Sequence, residues 1–270
     1  MRTLIPLSFI IMFLVMTVLP AKAVQDRALI LYFPFDEQLD GRKAEDMTGN
    51  GNNAQLKWGA KITDEAVYKG AGALKIDNIS AVVQVEPFAE MNKYQENTFV
   101  FWIYFLQGAT GRESSILTKN SFEDPADGGV HANINSPGVR IKADSLSMSY
   151  QFNPGIQGAA TVGPDGDNSE FEQKTWYHIA GVRLGAALRI YINGKEKGKY
   201  RVPQKISQGE GRLRIGGTQN PAFFFIMDEF AIYNRALTDR EVDLDAQGKF
   251  MAVEAPGKLA TTWSRIKTGY

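Results

Sequence analysis

Between Thr98 and Phe105 the chain alternates two apolar sets. Phe99, Phe101, Ile103 and Phe105 fall on one side of an extended strand, and Val100, Trp102 and Tyr104 on the other. A strand that is apolar on both faces has no side to turn to water, so it belongs inside a sheet covered on both faces. Similar β-rich runs occur at residues 29–35, 82–85, 176–183, 188–192 and 223–233. In the first, Pro34 marks a sheet edge or a bulge, because it has no N–H for the ladder. Asn193-Gly194 separates the run ending at Ile192 from the run beginning at Lys195. Both positions of a tight hairpin turn need positive φ, which Asn and Gly adopt most readily. Weaker runs bring the count to about twelve strands, spaced as in a sandwich or barrel. No helical pattern alternates with them, which argues against a parallel α/β fold. One helix is predicted: Thr238-Asp239-Arg240-Glu241 forms a capping box opening a short helix to about Gln247. The fold class expected is all-β, a two-sheet antiparallel sandwich with a short C-terminal helix.

The N-terminus reads as a separate unit. Arg2 precedes an uncharged apolar run over residues 4–19, followed by Ala21-Lys22-Ala23. This is the pattern of a secretory signal peptide cleaved after Ala23, the alternative being an uncleaved anchor. The expected division is a signal peptide at 1–23, a sandwich at 24–247 and a tail at 248–270. In the tail, Leu259, Trp263 and Ile266 could dock one amphipathic turn. The implied location is secreted, periplasmic or at the cell surface. The chain has no cysteine, which excludes disulfides, thiolate metal sites, thiol nucleophiles and a lipoprotein anchor. An exported chain without cysteine points to a bacterial source. Two histidines leave little room for a multi-histidine metal centre. Thirty basic residues balance thirty acidic ones, so there is no electrostatic case for nucleic acid as a partner.

Four segments, in order, resemble the LamG-like jelly-roll domains of the concanavalin A-like lectin/glucanase superfamily. The first is the 31–36 run followed by Asp46-Met47-Thr48-Gly49-Asn50-Gly51-Asn52-Asn53-Ala54, and the second is Ala73-Leu74-Lys75-Ile76-Asp77. The third combines residues 98–105 with Trp176-Tyr177-His178-Ile179-Ala180 and the 188–194 hairpin. The fourth is Leu213-Arg214-Ile215-Gly216-Gly217 with the 227–237 segment from Met227 to Leu237. The resemblance implies a concanavalin A-like jelly roll in an exported recognition module, often with a structural calcium ion. Where the family has a glycine two residues before the hydrophobic-Asp pair, this chain has Phe225. Oxygen donors suited to Ca²⁺ are Asp46, Asn50 and Asn52, with Asp228 as the expected partner from the last strand.

The expected function is a non-catalytic recognition module with carbohydrate or a glycoconjugate as partner. A glycoside-active enzyme of the same fold and a protein-binding adhesion or surface component are the alternatives. The enzyme signal is Glu241-Val242-Asp243-Leu244-Asp245, which looks like the carboxylate strand motif of laminarinase-type hydrolases. That chemistry needs carboxylates alternating along one strand face, and here the capping box makes the segment a helix with a solvated acidic face. Asp228 and Glu229, adjacent in a strand, would point to opposite faces. His178 is expected as a satisfied core histidine, and Phe99, Phe101 and Trp102 as core aromatics. Two polar loops, 120–138 and 153–168, are where recognition would sit. The ligand-binding candidates there are His131, Asn133 and Asn135, with Tyr150 and Phe152; Phe122 and Phe171 are further loop aromatics. An aromatic beside side chains that both donate and accept is the combination a sugar needs.

Overall fold

The computed structural model describes residues 26–36, 38–39, 42–92, 96–108, 113–120, 138–142, 148–151, 160–162, 171–201, 212–217 and 223–250. The expected signal peptide at 1–23 and the tail residues Leu259, Trp263 and Ile266 lie outside them. The first seven strands are β1 (Leu29–Phe33), β2 (Gln38–Leu39), β3 (Lys43–Ala44), β4 (Ala54–Lys57), β5 (Lys61–Thr63), β6 (Ala73–Ile76) and β7 (Val82–Val85). The middle of the chain forms β8 (Glu96–Gly108), β9 (Glu113–Asn120), β10 (Gly138–Lys142), β11 (Met148–Gln151) and β12 (Ala160–Val162). Then come β13 (Trp176–Leu184), β14 (Ala187–Ile192), β15 (Lys195–Arg201), β16 (Arg212–Gly216), β17 (Phe223–Tyr233) and the helix α1 (Asp239–Ala246). The count exceeds the expected twelve because strands such as β2, β3 and β5 are too short to carry an apolar alternation. One of them, β12, lies inside the segment expected as the second polar loop.

The strands form two antiparallel sheets. One has the order β15-β14-β13-β8-β17-β6-β5 with β1 also on β17; the other runs β12-β11-β10-β9-β16-β7-β4-β3-β2. β8 lies between β13 and β17, the interior position its two apolar faces require. Pro34 follows the end of β1, which pairs with β17 alone and has a register irregularity between Leu29 and Leu31. The Asn193-Gly194 turn has φ of 50° and 78°, and joins β14 to β15 as expected.

The inner faces of the two sheets enclose the main core, which includes Phe33, Phe99, Phe101, Phe105, Ile179, Ile190, Val83, Leu213 and Ile215. A second apolar cluster covers the outer face of the first sheet. It contains Val100, Ala180, Val182, Tyr191, Ala231 and Tyr233 together with Leu237 and Val242 from the α1 region. This explains why β8 is apolar on both sides: α1 roofs part of its outer face. Further along that face, Trp102 and Tyr104 are half-buried, so Trp102 is not a core aromatic as expected. Its ring stacks on Tyr68 with centroids 3.6 Å apart, and Tyr68 also meets the edge of Trp176. Phe171 shows the reverse: it is 2% exposed and packs on Phe105 and Tyr177.

α1 has the expected capping box. Thr238 accepts the Glu241 N–H while Glu241 accepts the Thr238 N–H. Glu241 also accepts two bonds from Arg235, at 2.7 and 2.8 Å, and this guanidinium holds its carboxyl down to about 2. The acidic face is not solvated throughout, because Asp245 is buried against His178.

Candidate functional site

The outer face of the second sheet is built differently. In β4, Ala54 and Leu56 are buried, whereas Gln55 is exposed and Lys57 half-buried. Gln55 pairs with Gln84 of β7, Gln84 with Arg214 of β16, and Arg214 with Thr118 of β9. The strand alternation therefore sets amide, amide, guanidinium and hydroxyl in one row across the outer face. Lys43 of β3 joins the row by pairing with Gln55.

At the end of β4 the chain crosses from one sheet to the other through Trp58 and Gly59, with the Ala60 N–H donating to the Lys57 carbonyl at 3.1 Å. Trp58 has φ of 52° and Gly59 of 101°. Two central residues with positive φ make a turn that favours Asn-Gly, and a Trp in the first position opposes local preference. Gly59 has a packing reason, since a Cβ there would lie 2.5 Å from the Asn78 side chain. Trp58 has no such reason. Its side chain is 51% exposed, and its visible contact is the Lys57 ammonium 6.0 Å from the ring centroid. Lys57 also donates to Gln84 Oε1 at 3.1 Å, which holds it beside the ring. Trp58 borders an open groove of about 660 Å³ with Arg42, Lys43, Gln55, Leu56, Lys57, Gly59 and Ala60. That volume suits a small ligand. An exposed aromatic in an unfavourable backbone conformation, beside hydrogen-bonding and cationic side chains, presents a flat apolar face ringed by polar contacts.

Sequence reasoning missed this groove. The available signal was Trp58-Gly59 between two short β runs, an aromatic standing where a turn residue belongs. Of the ligand candidates, His131, Asn133, Asn135 and Phe152 lie outside the described residues. So does Phe122, and only the backbone of Tyr150 is described, paired with Val139 and Ala160.

The expected calcium ligands are all described, and the two carboxylates among them already collect backbone donors. Asp46 Oδ1 accepts the Tyr32 and Thr48 N–H groups and the Thr48 hydroxyl, while Oδ2 accepts the Asn52 N–H. Three of these bonds fall on Oδ1 and one on Oδ2, which ties the carboxylate into the turn. Asn50 uses its amide to donate to the Ile30 carbonyl at 3.1 Å, fastening the turn to β1. Asp228 Oδ2 accepts the Tyr68 and Lys69 N–H groups, and Oδ1 accepts the Glu229 N–H. Among the described residues no three His, Asp or Glu side chains gather as a metal site. A calcium ion joining Asp46 to Asp228 would compete with the N–H donors that both carboxylates collect.

Asp228 and Glu229 also correct the strand reading. A bulge in the β17–β8 register falls between Asp228 and Ala231, and Glu229 has φ of 51°. Met227 and Phe230 both belong to the inner core, so the two residues between them share the outer side. Glu229 accepts from the Tyr32 hydroxyl at 2.9 Å and from Lys69 Nζ at 2.8 Å. Burial pushes the Asp228 carboxyl up to about 8 despite its three N–H donors, and burial and Glu229 push the Tyr32 phenol up. The pair is 0% and 4% exposed, so these carboxylates are closed to a substrate. In α1, Glu241 binds Arg235, Asp243 accepts from Gln247 and Asp245 faces His178. They do not converge, as the helical reading expected.

Two antiparallel sheets packed face to face, one roofed by a helix and the other bearing an aromatic and basic groove, define a jelly-roll sandwich. The chain belongs to the concanavalin A-like lectin/glucanases superfamily, whose sequence profile matches residues 77–243, more than half of the chain. It is 22% identical over 221 residues to Paraclostridial mosquitocidal protein 1 of Paraclostridium bifermentans, covering 78% of this chain and 17% of that protein. Among solved structures it is similar to the binding domain of botulinum neurotoxin DC in complex with SialylT. There the TM-score is 0.62 at 14% identity, over 82% of this chain and 51% of that one. It is also similar to domain 4 of a GH43 extracellular arabinanase from Geobacillus stearothermophilus in complex with arabinotriose. The TM-score is 0.59 at 16% identity, over 81% of this chain and 97% of that one.

Proposed function

We propose that the chain is an exported, non-catalytic carbohydrate-binding module whose site is the groove beside Trp58. The observation that carries this reading is Trp58 itself, half exposed and in a backbone conformation that costs about 1–2 kcal/mol for a non-glycine residue. Backbone strain kept at a half-exposed surface position is a mark of function. A sugar ring stacks its C–H face on an indole and directs its hydroxyls to side chains that donate and accept, which Gln55 and its neighbours supply. Two structural relatives are described with SialylT and arabinotriose, which supports glycans as the ligand class. Export rests on the leader at 1–23, and among the described residues no helix is long and apolar enough to cross a membrane. The absence of catalysis rests on the engagement and burial of the described carboxylate pairs.

A glycan array probed with the protein and with Trp58→Ala tests this. Loss of a stacked indole is expected to weaken binding at least about tenfold, the equivalent of about 1.4 kcal/mol. A His131/Asn133/Asn135 triple-alanine variant tests the loop site in parallel. Undiminished binding by Trp58→Ala with loss in the triple variant would move the site to the loop.

A further inference from the structure

The charges of this chain balance in number but not in space. The groove beside Trp58 is lined by Arg42, Lys43 and Lys57 and, among the described residues, by no carboxylate. Arg212 and Arg214 continue the basic character along the same outer face from β16, and Glu86 there is bound to Arg212 at 2.9 Å. Arg42 and Lys43 are exposed, and neither has an ion-pair partner among the described residues. Like charges gathered on one face repel each other, and a bound anion relieves that repulsion. A neutral sugar needs acceptors and donors, and gains little from three cations that can only donate.

Resting on the carbohydrate reading above, we propose that the groove selects acidic glycans, those whose sugar ring carries a carboxylate or a sulfate. The sugar face lies on Trp58, and the anionic group is received by Arg42 and Lys43. Lys57, held between Gln84 and the indole, supplies a fixed third charge. A guanidinium receives two oxygens of either anion in parallel hydrogen bonds, so the same pair serves both chemistries. The groove is of small-ligand size and carries the Gln55 amide as well as charge, which favours a sugar over an extended polyanion.

The test uses matched sets: lactose, 3′-sialyllactose and 3′-sulfolactose, titrated into the protein by calorimetry at low and at physiological salt. At least one acidic member is expected to bind about tenfold or more tightly than lactose. The sialyl and sulfo arms tell carboxylate from sulfate. In the Arg42→Gln/Lys43→Gln double variant the ratio of acidic to neutral affinity should fall towards one, and raising salt should narrow it in the parent. Equal binding of all three sugars, lost with Trp58→Ala, would overturn the acidic preference and leave the carbohydrate reading standing. Binding of none of them, with a DNA duplex bound tightly, would overturn both.

Discussion

His178 near the start of β13 and Asp245 in the last turn of α1 meet with Nε2 and Oδ2 2.9 Å apart, both side chains buried. An acidic residue near a helix C-terminus opposes the helix dipole, so this aspartate is held by its tertiary partner rather than by the helix. Asp245→Ala would leave both imidazole nitrogens without protein partners, since Nδ1 already has none among the described residues. A buried polar group stripped of its bond costs about 1–3 kcal/mol. The melting temperature should fall by about 2–12 °C, as thermal unfolding followed by circular dichroism will show. An unchanged melting curve would mean that the pair does not fasten α1 to the sheet.

The second prediction concerns pH. The Asp228 carboxyl is raised from its ordinary 3.8 to about 8, chiefly by burial. Between those values the folded state holds a proton that the unfolded chain has lost, so this group's contribution declines as pH rises from about 4 to 8. Glu241, lowered from 4.5 to about 2 by Arg235, acts in the opposite sense, and its contribution is lost as pH falls through that range. Stability should therefore be higher at pH 5 than at pH 8. Asp228→Asn should flatten that slope. Parallel pH profiles for the variant and the parent would remove Asp228 as its source.

The Asp46 turn supplies a third. Asp46→Ala strands the Tyr32, Thr48 and Asn52 N–H groups that its carboxylate collects. The cost should be about 2 kcal/mol or more, seen as a loss of at least about 4 °C in melting temperature. Calcium and chelator should both leave the parent's melting curve in place, because backbone donors already hold Asp46 and Asp228. A rise with calcium that Asp46→Ala abolishes would restore the metal expectation.

Trp58 gives a prediction of opposite sign. Trp58→Gly removes the backbone strain at φ of 52°, which offsets the loss of the covered half of the indole and the extra freedom of glycine in the unfolded chain. Melting temperature should stay level or rise by up to about 3 °C while glycan binding is lost. A clear drop in stability would make Trp58 a structural residue.

Gly194 ties the hairpin to the helix. A Cβ there would lie 3.2 Å from the Asp243 backbone and 3.1 Å from the Ala246 side chain, at a φ of 78°. Gly194→Ala should cost about 1–2 kcal/mol from backbone conformation alone. A denaturant titration should show a lower midpoint with an unchanged slope.

The sequence by itself determined the strands with strong side-chain patterns and the ends of the helix. The two-sided apolar alternation of 98–105 requires an interior strand. Asn193-Gly194 encodes its turn within two residues, and Thr238 with Glu241 encodes a helix start within four. These are local codes, in which the residues that decide the conformation are those that adopt it. Only the tertiary structure decided what each side chain faces. Asp228 and Glu229 share a side because a bulge between paired strands breaks the period of two. Trp102 lies half open because the roof formed by α1 does not extend over it, and Phe171, polar by its neighbours in sequence, is drawn into the core by Phe105 and Tyr177. The basic groove is assembled from β3, β4 and the turn beyond, whose residues become neighbours only when strands pair across the sheet. Pairing register and burial depend on contacts far apart in the chain, and no local pattern of residues specifies them.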